Sequence, residues 1–405
     1  MIPWRTIAFA VVAAIVGLLV ASHLAGWLRR RRSRVGQRFT TAGALFSLVT
    51  VTLAIVALHT KINFLVLLFG MLVSGLVLSF VMSRTTLRRL AFERSVPDGV
   101  HAGQPFTVEL RVTNRKRLAA SYGLVVLDDL PESIVSERPG GVVLELRPRR
   151  AASLAYTATA MQRGVVRLGT LSFSTRFPFG LFHQGRSRAV ASELVVYPRL
   201  GVVAPGFLGR AQSLVQARRR ERTARGNEEF RNLREYRPGD NPRRIHWKTS
   251  AKLGWPLVKE HEAIADERVG ILLDTRCRAS GEELLETGIS FAATLARDLM
   301  LRGLFVSLAA YAPDLVVTPA AKGSAGFHAL LEVLARLEPH PGRTLVELVR
   351  EPRVRAGERA LTVLVLRRTD EDAAAALAEL QRRQPRVVTA DASAPSFGEV
   401  FQLPQ

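Results

Sequence analysis

Three apolar stretches near the amino terminus, residues 7–28, 40–59 and 64–82, constrain this chain more than any other feature. Each is close to the ~20 residues that a helix needs to cross the hydrocarbon core of a bilayer. The first is interrupted only by Ser22 and His23, the second only by hydroxyl side chains before His59, the third only by Ser74 and Ser79. None shows the polar face that a helix packed on a soluble core would carry. The spacing therefore predicts transmembrane helices at these three places, within a membrane region over residues 1–94.

The arginines orient them. Arg29, Arg30, Arg31, Arg32, Arg34 and Arg38 follow the first stretch, only Lys61 lies in the 60–63 linker, and Arg84, Arg88, Arg89 and Arg94 follow the third. Positive charge in short loops stays on the cytoplasmic side. The expectation is a multi-pass protein of the cell's inner (plasma) membrane, with the 60–63 turn outside and everything after residue 83 cytoplasmic. No cleavage site is evident before the arginine cluster, so an anchor is expected rather than a signal peptide.

The net charge is +22, and residues 1–94 carry 12 basic residues against a single acidic one, whereas residues 268–405 balance 17 with 17. An excess that flanks apolar stretches points to membrane lipid. No nucleic acid is expected, because the arginine-rich stretches have no interleaved aromatics and no recognised binding module. Cys277 is the single cysteine, so an internal disulfide and a cysteine metal cluster are both excluded.

Beyond the membrane region, residues 106–113 alternate apolar and polar without error, the pattern of a half-buried strand. Shorter strand-like runs follow at 123–127, 142–146, 153–160, 165–173 and 189–196, separated by turn residues. Together they predict an all-β, immunoglobulin-like sandwich over 95–204. The aromatic cluster at 177–182 is expected as a core plug or an interdomain contact. Residues 205–267 read as a basic arm, exposed over 212–231, ending in a charged and turn-rich motif. There Pro238, Gly239, Asp240, Asn241 and Pro242 predict a tight turn. Around it stand charged groups able to pair, with Tyr236 and Trp247 as packing faces. Residues 268–405 alternate strands (269–273, 304–310, 361–366, 386–389) with helices (283–303, 327–337, 371–383), which predicts a C-terminal α/β doubly wound domain.

The motif makes the chain recognisable. The run Leu233, Arg234, Glu235, Tyr236, Arg237, Pro238, Gly239, Asp240, followed by Arg243, Arg244, Ile245, His246, Trp247, Lys248 and then Ala251 and Lys252, resembles the signature of the domain of unknown function 58 family. Residues 61–65, 102–105 and 178–182 fit the same family, so that the resemblance runs from about residue 40 onward. It implies a von Willebrand factor A-like last domain and association with MoxR-type ATPases and other membrane proteins. In such A-type domains a magnesium ion is often held by Asp-x-Ser-x-Ser after the first strand. Here that run is similar to Asp274, Thr275, Arg276, Cys277, Arg278. Arginine at both serine positions repels a cation, so no metal and no other cofactor is expected, and Asp274 is read as a cap or salt-bridge residue.

Tyr236, Arg237, Pro238, Gly239, Asp240, Arg243, Arg244, His246, Trp247, Lys248 and Lys252 form the candidate interaction or structural motif, with no catalytic residue assigned. Cys277 has no histidine partner in its local sequence, His246 could serve as a base but is read as a structural histidine of the motif, and phosphate-binding, zinc-protease and nucleophile-elbow motifs are missing. The expected function is a membrane-tethered, non-enzymatic scaffold that assists partner proteins together with a MoxR-type ATPase. The competing expectation is a cell-envelope enzyme built on the cluster from Arg237 to Lys248.

Overall fold

The computed structural model describes residues 36–60, 62–224, 230–237, 245–261, 268–276, 282–340, 342–355, 361–384 and 386–403. The first apolar stretch and the arginines at 29–34 lie outside them, while Arg38 lies inside. Two compact units divide at Val196 and Tyr197, and each is described by itself.

The first unit opens with strand β1 (Gly36–Phe39) and helices α1 (Thr41–Thr60) and α2 (Asn63–Thr86). These helices are inside out by the standards of a soluble protein. The residues that α1 buries are Gly43, Ser47, Thr50, Ala54 and Ala57, spaced along one helical face. Leu45, Leu48, Val49, Ile55, Phe64, Leu67 and Met71 point outward. In water such an apolar surface is an aggregation liability. In lipid, small residues at the helix contact and large ones outside are the expected division. Only 28% and 17% of the two apolar windows is buried, so these are candidate membrane spans rather than core helices.

Both ends of the hairpin are tied to the β-structure that follows. At the start of α1, Thr40 Oγ1 accepts from the Gly43 amide at 3.0 Å and donates to the Gly180 carbonyl at 2.5 Å. A Cβ on Gly43 would collide with the Leu181 carbonyl. Leu181 and Phe182 are buried with Leu76 of α2, flanked by Phe39, Phe46 and Phe80. The aromatic cluster is therefore a contact between helices and sheet. At the end of α2, the buried Lys116 ammonium donates to the carbonyls of Thr85 and Thr86 at 3.0 and 3.1 Å and to Ser121 Oγ at 2.7 Å. A cation there satisfies the last carbonyls and the negative end of the helix dipole. Burial lowers the pKa of this lysine from its ordinary value.

Two antiparallel sheets follow. Their strands are β2 (Leu90–Ser95), β3 (Gly99–His101), β4 (Pro105–Asn114), β5 (Ser121–Asp128), β6 (Ile134–Val135), β7 (Gly140–Leu146), β8 (Ala151–Ala160), β9 (Gly164–Thr175) and β10 (Phe182–Tyr197). One sheet has the order β2-β4-β8-β6 and the other β1-β10-β9-β5-β7, with β3 also pairing with β10. The alternation read in β4 is realised. Phe106, Val108, Leu110 and Val112 face a core shared with Leu124, Val126, Leu168, Leu171, Phe173 and Leu194 of the other sheet. Each fully buried aliphatic side chain there contributes about 1.5–3 kcal/mol. Two packed sheets of this kind are a β-sandwich. Two of its strands lie inside the segment assigned above to the membrane region: β1 pairs with β10, and Leu90 and Phe92 of β2 pair into the other sheet and join the core.

The second unit takes in residues 197–204 as well. Strand β11 (Val202–Val203) pairs with β19 (Phe401–Gln402), and the Gly201 amide donates to Thr294 Oγ1 at 2.9 Å. The basic arm expected over 205–267 opens with helix α3 (Pro205–Ala224), which runs into the 212–231 stretch expected to be exposed. Phe207, Leu208, Ala211 and Val215 form a buried stripe at helical spacing, with Phe207 edge-on to Phe291 at 5.5 Å. The arginines that follow in sequence obscured this short apolar face.

Strands β12 (Phe230–Glu235) and β13 (Leu257–His261) enclose helix α4 (Trp247–Leu253). After them come β14 (Arg268–Leu273), α5 (Glu282–Leu301), β15 (Phe305–Ala312), β16 (Asp314–Val317), α6 (Gly323–Arg336), α7 (Leu345–Arg350), α8 (Pro352–Arg355), β17 (Leu361–Leu366), α9 (Glu371–Arg383), β18 (Val387–Asp391) and α10 (Phe397–Val400). The sheet order is β16-β15-β14-β17-β18, parallel except for the edge strand β16. Strands β14 and β17 are buried along almost their whole length, as strands covered on both faces must be. Leu273 and Val365 lie near Gly288 of α5, whereas Leu272 and Leu364 join the core with α7 and α9. Adjacent strand residues point to opposite faces, so helices cover both sides of the sheet.

Candidate functional site

The signature motif builds a small β-α-β ribbon. Leu233, Arg234 and Glu235 of β12 pair with Lys259, Val258 and Leu257 of β13. The Tyr236 amide donates to the Pro256 carbonyl at 2.9 Å, and the His246 amide to Leu257 at 2.8 Å. The chain thus leaves and re-enters the ribbon at fixed points on one strand. His246 is the N-cap of α4. Its Nδ1 accepts from the Thr249 amide at 3.3 Å and lies 2.8 Å from Thr249 Oγ1. Ser250, buried in the middle of α4, accepts from the Leu257 amide at 2.8 Å and donates to the His246 carbonyl. Gly254 ends the helix at φ 80°, the left-handed conformation that glycine adopts without strain.

Of the motif residues singled out above, Tyr236 and His246 are half-buried, while Arg237, Trp247, Lys248 and Lys252 are exposed. Trp247 is 68% exposed, so it is not the packing face expected of it: Ser250 takes the inward position. Pro238, Gly239, Asp240, Arg243 and Arg244 lie outside the described residues, and with them the expected turn and the pairing of Asp240.

A second constellation forms at the carboxyl ends of the parallel strands. Asp274 directly follows β14 and is 2% exposed. Arg276 folds back on it, with Nε 2.8 Å from Oδ1 and Nη2 2.9 Å from Oδ2. The same guanidinium reaches Asp370 Oδ1 at 3.3 Å and Asp372 Oδ2 at 2.7 Å, both at the start of α9 beyond β17. The carboxylates are themselves held: Asp370 caps α9 through the Ala373 amide at 2.8 Å, and Asp372 accepts from the Leu345 amide at 2.6 Å. Thr275 Oγ1 donates to the Tyr311 carbonyl at 2.6 Å, and the Tyr311 hydroxyl donates to Glu351 at 3.0 Å.

The electrostatics follow from this packing. Burial acts against the charged guanidinium, but Asp274, Asp370 and Asp372 outweigh it and hold the Arg276 proton more firmly than usual. Burial likewise opposes ionisation of Asp370, yet the Ala373 amide and Arg276 bring its carboxyl below the ordinary value. Burial and the Glu351 carboxylate push the Tyr311 phenol up to about 12. Asp274 is thus the salt-bridge residue that its sequence context predicts. Asp370 and Asp372 were not singled out in the sequence. The one local signal was an acidic helix start directly after an apolar strand.

Residues 232–400 match the family described as protein of unknown function DUF58. The match takes in the ribbon and the α/β sheet and begins after the helices and the sandwich. The chain is also 26% identical over 249 residues, 58% of its length, to the uncharacterized protein YeaD of Bacillus subtilis (strain 168), and spans 59% of the length of that curated relative. Among solved structures, the CARDB domain of a Pyrococcus furiosus protein shares 14% identity, with 27% of this chain and 94% of that one covered at a TM-score of 0.17. A Porphyromonas gingivalis W83 protein of unknown function also shares 14%, with 28% and 54% covered at 0.19. The fold stands on the strand order given above rather than on these likenesses.

Proposed function

We propose that this protein is a membrane-tethered, non-enzymatic scaffold that works with a MoxR-type ATPase to assist assembly or maturation of partner proteins. The carrying observation is Arg276. In open α/β sheets, ligands bind in the crevice beyond the carboxyl ends of the strands, where the connections diverge to opposite sides. Strands β14 and β17 flank that point, and the cation between their carboxylates is the chain's own guanidinium. The crevice thereby becomes a fixed polar surface suited to docking. The sheet order, with β16 antiparallel at the edge, supports a von Willebrand factor A-like reading of the last domain. The packed antiparallel sheets support an immunoglobulin-like one for the sandwich. The outward apolar faces of α1 and α2 support a tether, and the arginines support a cytoplasmic position for the rest. His246 spends Nδ1 on a helix cap, which favours a structural role over that of a general base.

The test is co-purification of the full chain from native membranes with ATP, with ADP and without nucleotide. A ring ATPase recovered in a nucleotide-dependent manner supports the reading. Recovery of other membrane partners and no ATPase in any state overturns it.

A further inference from the structure

Helix α4 is held to its ribbon by Ser250 and the His246 cap, and almost everything else on it faces outward. The outward set is unusual: Trp247 is 68% and Leu253 46% exposed, Trp255 just past the helix is 50% exposed, and Lys248 and Lys252 are exposed too. From residue 241 to residue 259 the sequence contains no acidic residue, and five basic ones. Indole rings are amphipathic and collect where one end of the ring is apolar and the other wet, which is the headgroup level of a bilayer. Ammonium groups beside them complement anionic headgroups, and the apolar stems of lysine extend along the lipid boundary. The same chain carries two candidate membrane spans, which hold the ribbon at a high effective concentration near a bilayer.

From this juxtaposition we propose that the α4 face is a lipid-contact site, which seats Trp247, Leu253 and Trp255 among the headgroups of an anionic membrane surface, with Lys248 and Lys252 on the phosphates. Such a contact would set how the ribbon and the α/β sheet stand over the bilayer. It rests on the tether proposed above and not on the ATPase.

The chain has four tryptophans, at 4, 27, 247 and 255, so Trp4→Phe and Trp27→Phe leave the α4 face as the sole indole source. The full chain carrying both substitutions is reconstituted into nanodiscs of phosphatidylglycerol with phosphatidylcholine, or of phosphatidylcholine alone, with acyl-brominated lipid as the quencher. The expected result is blue-shifted emission quenched by the brominated lipid in the anionic discs. Both signals are lost in phosphatidylcholine discs and in a Lys248→Glu, Lys252→Glu variant, whose substitutions sit on exposed positions and leave the ribbon folded. Emission typical of water-exposed indole in anionic discs overturns the proposal. So does blue-shifted emission that bromine does not quench, because the face is then covered by protein, or by nucleic acid if nuclease exposes it. Failure to enter discs at all refutes the tether instead, so the two readings fail separately.

Discussion

Two arginine–aspartate clusters in this molecule share their chemistry and differ in their surroundings. In the sandwich, Arg94 of β2 forks onto Asp128 of β5 at 2.9 and 2.6 Å, and neither side chain is exposed at all. Further hydrogen bonds surround the pair. Arg94 Nη1 donates to the Val190 carbonyl at 2.7 Å, and the Tyr156 hydroxyl to Asp128 at 2.7 Å. Burial and then the Asp128 bond push the Tyr156 phenol well above its usual value. At the sheet edge, one guanidinium serves three carboxylates, of which Asp370 and Asp372 are still reached by solvent. The first cluster is closed, bridges two sheets and has one charge for each opposite charge. The second is open, over-supplied with carboxylate and placed where α/β sheets meet their ligands. The pairing chemistry alone does not separate structure from function; stoichiometry and exposure do.

The sharpest way to break this comparison is to remove Asp128. Asp128→Ala strands a fully buried guanidinium and a buried phenol, and the loss is expected to be about 3–5 kcal/mol. Equilibrium unfolding of the full chain in detergent reads it. A loss under about 1 kcal/mol would place the pair in contact with water and remove the contrast.

Arg276→Ala should cost less, about 2–3 kcal/mol, because two of the three carboxylates left behind can still be hydrated. Its more informative consequence is electrostatic. Asp274 and Asp372 lose their guanidinium partner while Asp370 keeps Arg368 at 4.0 Å, and hard cations take carboxylate oxygens of the kind left there. Calorimetry of the wild-type chain should give no specific magnesium site at the Asp274 edge, whereas Arg276→Ser, which also restores a hydroxyl, should gain one. A stoichiometric wild-type site abolished by Asp274→Asn would show that the guanidinium does not substitute for a cation.

How much of this was legible in the sequence depends on whether the information was local. The alternation from Phe106 to Thr113, the apolar run from Leu361 to Leu366 and the helix starting at Glu371 are local patterns, and the structure repeats them nearly residue for residue. The start of α3 was hidden because its buried stripe is short and followed by arginines. Arg94 was misleading in another way. It counts among the positive charges after the third apolar stretch, yet its partner Asp128 arrives only when the two sheets close. The edge cluster is the strongest case: Asp274 and Arg276 were visible as a departure from a cation-binding run. The approach of Asp370 and Asp372, nearly a hundred positions later, follows from the parallel pairing of β14 with β17. In the ribbon, the residue that locks α4, Ser250, had no pattern to announce it.

The open cluster should also respond to pH. The Asp370 carboxyl is held below its ordinary value in the folded protein, so the stability it contributes is fully present above the unfolded value of about 3.9 and is lost as pH falls through the lower folded value. Arg276→Ala removes one of the groups that lower it. The acid limb of the stability curve should therefore move to higher pH in that variant, while Asp391, held low against burial by Thr369 and Ser393, keeps its own contribution. An acid limb unchanged by the substitution would mean that the Ala373 amide and Arg368 set the Asp370 shift without Arg276.

The smallest expected effect supplies the baseline for the rest. Arg167 and Glu193 form a third arginine–carboxylate pair, across β9 and β10, at 3.1 Å. That separation is close to those in the other two clusters, but the side chains are 82% and 62% exposed. Water screens the attraction, and ordering two long side chains offsets much of what remains. Arg167→Ala should change stability by about 0–0.5 kcal/mol, and less still in high salt, where screening removes the attraction first. The three pairs then form a series at nearly constant distance in which exposure is the variable: none for Arg94, slight for Arg276, large for Arg167. If Arg167→Ala cost as much as Arg276→Ala, distance rather than exposure would govern the ranking. The Arg276 cluster would then have no claim to be anything more than another salt bridge.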